Sequence, residues 1–69
     1  MKDDIGVKLL DRLYDLGVDK ITATGLLTFS KTPENWNIIF KEIENVEEID
    51  LNRIQLFALA LGETVLGSS

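Results

Sequence analysis

The chain has 69 residues, 45% of them hydrophobic, with 7 Lys and Arg against 12 Asp and Glu and a formal net charge of −5. That length allows one small domain burying about 60% of its unfolded surface, and the hydrophobic share is enough for a core, which argues against intrinsic disorder. Cys and His are both absent, which excludes disulfides, thiolate chemistry, zinc sites of the usual ligand types and histidine acid–base catalysis.

No apolar run approaches the 18 or so residues of a membrane span, and Met1-Lys2-Asp3-Asp4 leads into a mixed amphipathic pattern rather than a signal peptide. A cytoplasmic protein is expected. The net negative charge repels nucleic acid unless the cations gather on one face.

The first helix is expected from Asp3 to Leu16, capped by Asp3 or Asp4 and stopped by Gly17. Ile5, Leu9, Leu10, Leu13, Tyr14 and Leu16 make its buried side. Lys8, Asp11, Arg12 and Asp15 fall on the other, where Lys8–Asp11 and Arg12–Asp15 are i, i+3 pairs on a solvated face. Between Val18 and Phe29 the signal is mixed, because Ile21, Ala23, Gly25, Leu27 and Phe29 alternate with threonines in a strand-like way. A lone strand cannot satisfy its backbone and no second strand signal exists, so a short helix is predicted over Lys20 to Thr28, capped by Asp19 and burying Ala23, Leu26 and Leu27.

Thr32-Pro33-Glu34 starts a helix: Thr32 can cap, Pro33 suits the first helical position and Glu34 complements the dipole. It runs to about Glu44, with Trp36, Ile39, Phe40 and Ile43 at core spacing and Asn35, Asn37, Ile38, Lys41 and Glu42 on the other side. Asn45 to Ile49, holding Glu47 and Glu48, is a connection. The last helix is predicted over Leu51 to Leu61, opened by Asp50 and closed by Gly62, with Leu51, Ile54, Phe57, Ala58 and Leu61 as its stripe. Leu56, Leu59 and Ala60 widen the apolar surface beyond that stripe, for the core or for a partner. A short turn at Thr64 to Leu66 and a frayed end at residues 67–69 complete the chain. Without repeat, linker or low-complexity tract, this is an all-α domain of four short helices over residues 1–66.

The spacing Leu51-x-x-Ile54-x-x-Phe57-Ala58-x-Ala60-Leu61-Gly62 resembles the last conserved helix of the Cro/lambda-repressor class of helix-turn-helix domains, where a similar run ends in Ala-x-Ala-Leu-Gly. Glu44-Asn45 stands where that family usually has Glu-Asn-Gly. The likeness covers roughly residues 42 to 63. It implies that Lys20–Thr28, the turn Phe29–Thr32 and Pro33–Glu44 form the helix-turn-helix. Asn35, Asn37 and Lys41 would then face the major groove, Ile38 would touch a thymine methyl, and Lys20, Lys31 and Arg53 would meet phosphates. The turn lacks the family's usual Gly, the second helix lacks its common Gln and Ala signature, and Val46, Glu47 and Glu48 stand where family members often carry Gly and basic residues. Two carboxylates there would face a polyanion.

Neither the carboxylate pairs Asp3/Asp4, Asp11/Asp15 and Glu47/Glu48 nor the scattered glycines make a metal cage, a glycosidase pair or a nucleotide loop, so no enzyme activity, metal or cofactor is expected. Three readings remain. The resemblance implies a small transcriptional regulator, and the charge favours one, of the kind found in temperate phages, that binds and modulates a partner repressor as antirepressor or co-repressor, using Ile38, Leu56, Leu59 and the Glu47–Glu48 loop. It would meet DNA weakly or through that partner. An autonomous Cro-type repressor would instead use Lys31, Asn35, Asn37 and Lys41. A helical adaptor or self-dimerising module unrelated to transcription is the third.

Overall fold

The computed structural model describes residues 4–67 and is all-helical, without strands among them. Four helices follow one another: α1 (Ile5–Asp15), α2 (Lys20–Ser30), α3 (Pro33–Ile43) and α4 (Leu51–Gly67). Each start follows from the residue before it. Asp4 accepts from the amides of Gly6 and Val7, Asp19 from Thr22, Thr32 from Asn35, and Asp50 from Arg53. These side chains take up first-turn N–H groups that no carbonyl of the helix can reach. Hydrogen bonds from Thr22 hold the Asp19 carboxyl below its ordinary value. The alternative cap, Asp3, lies outside the described residues.

Α1 buries Leu9 and Leu13 and stops where Gly17 takes a φ of 91°. Tyr14, expected on the buried side, is exposed: one position past Leu13 lies 100° further round the helix. Among the described residues neither Lys8–Asp11 nor Arg12–Asp15 closes an ion pair. Lys8 instead sits over the Phe40 ring, 5.6 Å from its centroid, and Arg12 reaches a neighbouring helix.

In α2 the strand-like alternation proves misleading, because its hydroxyls bond within the helix. Thr28 Oγ1 donates to Thr24 O, and Ser30 Oγ donates to Leu26 O at 2.7 Å. The backbone N–H of Lys31 donates to Leu27 O, so the helix runs through to Ser30 rather than Thr28.

Α4 departs most from expectation. Gly62 does not close it; the helix continues through Gly62 to Gly67, absorbing the predicted turn at Thr64–Leu66 and the first residue of the expected frayed end. Gly62 is there for contact. A Cβ on it would overlap the carbonyl oxygen of Phe29, so the missing side chain lets α4 lie against the end of α2. Ser68 and Ser69 lie outside the described residues.

Α2 packs most extensively on α4, and α1 on α3, around Leu9, Leu13, Val18, Ala23, Leu26, Ile39, Ile43, Ile54 and Ala58. The radius of gyration, 11.4 Å, is close to the roughly 11 Å of a compact chain this long. No described helix is long and apolar enough to cross a membrane.

Candidate interaction surface

Two junctions hold α3 in place, and they determine which of its side chains remain free. At the α2–α3 junction Lys31 has φ 77° and ψ −44°, and the Thr32 amide donates to Ser30 O at 2.9 Å. That is a tight γ-turn, a strained conformation for a residue with a side chain. It stands where the helix-turn-helix resemblance leads one to look for Gly. Around it the carbonyls at the end of α2 are satisfied by side chains. Trp36 Nε1 donates to Leu27 O at 2.9 Å, and Asn35 Nδ2 donates to Ser30 O at 2.7 Å and to Leu61 O at 3.3 Å.

Asn35 therefore cannot serve as the groove-facing residue that the sequence suggests. It is 8% exposed, and its amide ties α2, α3 and α4 together. Its neighbours Asn37, Ile38 and Lys41 do face outward, and Lys31 is exposed at the turn with its ammonium beside Gly62. Of the four cations considered for DNA, Lys20 opens α2, Lys31 forms the turn, Lys41 lies on α3 and Arg53 on α4. They are dispersed over four segments.

The carboxylates are gathered. Residues 33–50 carry Glu34, Glu42, Glu44, Glu47, Glu48 and Asp50 against Lys41 alone, whereas the other acidic and basic residues of the chain balance. The entire surplus of −5 thus falls on α3 and the connection that follows it. This partition can be read from the sequence, but counting over the whole chain hides it.

Apolar side chains flank the acidic region. Ile38 is 42% exposed, Leu56 68% and Leu59 40%. Glu42, one turn after Ile38, lies 3.9 Å from Arg53 across the α3–α4 junction, and Leu56 is one turn after Arg53. Ile38 and Leu56 therefore sit on either side of one exposed ion pair, and Leu59 and Ala60 extend the strip along α4. Val7, Tyr14, Ile21 and Phe29 are also exposed apolar side chains, on α1 and α2.

The connection itself is held from behind. Arg12 donates from Nε to Ile43 O at 3.0 Å and from Nη2 to Val46 O at 2.6 Å, so a cation from α1 closes the carbonyl end of α3. In front, a half-open pocket of about 110 Å³ is lined by Ile43, Val46, Ile49 and Ile54, with Glu42, Glu48, Asp50 and Arg53 at its rim. Sequence patterning does not point to Val46, Ile49 or Asp50 as a site, since the pocket exists only once α3 and α4 are brought together.

Among the described residues no cluster of carboxylates has the arrangement of a metal site. Chemically, the face offers an apolar strip, an acidic rim and one pocket. No protein family, curated protein sequence or solved structure matches the chain.

Proposed function

We propose that the chain is a small transcriptional regulator that works through protein contact, binding and modulating a partner repressor, with any DNA contact weak or supplied by that partner. One observation carries this reading. Residues 33–50, the helix that the helix-turn-helix resemblance would turn towards DNA and the connection after it, carry the whole negative surplus of the chain, and Ile38, Leu56 and Leu59 are exposed. Phosphates would be repelled there, and Asn35, which would have read a base, is enclosed. An apolar strip next to charge instead suits a protein interface.

The test is complex formation with candidate repressors from the same genome, measured by sedimentation or titration calorimetry. Ile38→Asp and Leu56→Asp each place a charge in the strip and should weaken the complex by about 2 kcal/mol or more while leaving helix content unchanged. Wild-type affinity in both variants would remove the strip from the interface and the reading with it.

A further inference from the structure

Resting on that partner-binding reading, we infer that the pocket between α3 and α4 receives a single branched aliphatic side chain, Leu or Ile, from a partner segment with Lys or Arg on either side of it. Four aliphatic residues, Ile43, Val46, Ile49 and Ile54, line the pocket together with four charged ones. Its volume of about 110 Å³, below the roughly 150 Å³ of an engineered cavity that binds benzene, matches a four-carbon side chain better than a larger one.

The rim specifies what surrounds the anchor. Glu42, Glu48 and Asp50 stand around the opening, with Glu44 and Glu47 in the same connection. Arg53 is the only cation lining the pocket, and it already leans towards Glu42 at 3.9 Å with both side chains exposed. An exposed pair at that distance is weak and exchangeable. A Lys or Arg of the partner would take over Glu42 and displace Arg53 into solvent. Arg53 thus occupies the partner's position in the free protein and competes with it.

The experiment is an amide chemical-shift titration of the whole chain with capped heptapeptides of Lys and Ala carrying a central Leu. Control peptides replace the Leu by Ala, or every Lys by Glu. The Leu peptide should move amides within residues 42–54 and bind roughly tenfold more tightly than the Ala peptide. Glu48→Lys, on the exposed rim, should weaken it several-fold, and Arg53→Ala should tighten it. Equal affinity of the Leu and Ala peptides, equal affinity of the Lys and Glu peptides, or shifts confined to the Leu56–Leu59 face would each overturn the inference. A parallel measurement separates it from the reading beneath it. A repressor complex that Ile38→Asp abolishes but Glu48→Lys leaves intact overturns the pocket and keeps the partner; absence of any complex overturns both.

Discussion

At the α2–α3 junction a buried serine, a buried asparagine, a tryptophan N–H and a glycine without a side chain close upon one another, whereas at the α3–α4 junction the chain spreads into an exposed acidic connection beside an open pocket. Both junctions must satisfy the carbonyls at the end of a helix. The first does so from within, using Ser30, Asn35 and Trp36 of the adjoining helices. The second borrows Arg12 from α1, which holds the connection from behind and leaves its front uncovered. The contrast separates two roles that look alike in sequence. Polar residues at the first junction fix the fold, whereas at the second Glu44, Glu47 and Glu48 stay exposed.

The largest effect should come from breaking the closed junction. Gly62→Ala drives a methyl into the Phe29 carbonyl, and because the obstacle is backbone it cannot swing aside. A loss of about 3 kcal/mol or more is expected, enough to unfold much of a domain this small, read as a fall in the urea midpoint. Arg12→Ala attacks the open junction by stripping two carbonyls of a charged donor, and should cost about 2 kcal/mol. Hydrogen exchange should quicken first at Ile43 to Asp50. The pair Asn35→Ala and Asn37→Ala sharpens the comparison most, because the residues are two positions apart. The first should cost about 1–2 kcal/mol through its two lost hydrogen bonds, and the second should leave the thermal midpoint almost unchanged. Smallest, and opposite in sign, is Lys31→Gly, which relieves the strained turn and should raise stability by about 1 kcal/mol in the same urea titration.

Much of the architecture is legible in the residues. Asp4, Asp19, Thr32 and Asp50 are acceptors directly before apolar periods, and each caps the helix expected of it. The central stripe of α4 is also visible, with Ile54 and Ala58 in the core. Gly62 is misread because a glycine after an apolar run serves equally as a helix stop or as a close-contact point, and the neighbour that decides between them, Phe29 O, lies 33 positions away. Asn35 is misread for a related reason. Helical spacing puts it outside the Trp36–Ile43 stripe, but α4 meets it at Leu61, and no local pattern announces a helix arriving from that far along the chain. Arg12 pairs on paper with Asp15 and in the fold with carbonyls more than 30 positions on. Ile38 is exposed, as its place outside the α3 stripe implies, and Leu56 and Leu59, which the sequence leaves open between core and surface, are exposed as well.

A DNA mobility shift at two salt concentrations, run with the chain alone and with a candidate repressor from the same genome, tests the central claim most directly. The account predicts no shift by the chain alone even at low salt, and a shift of the repressor that the chain alters or abolishes. A shift by the chain alone that fades steeply with salt and weakens in Asn37→Ala would contradict it, and would put Asn37 and Lys41 in the major groove.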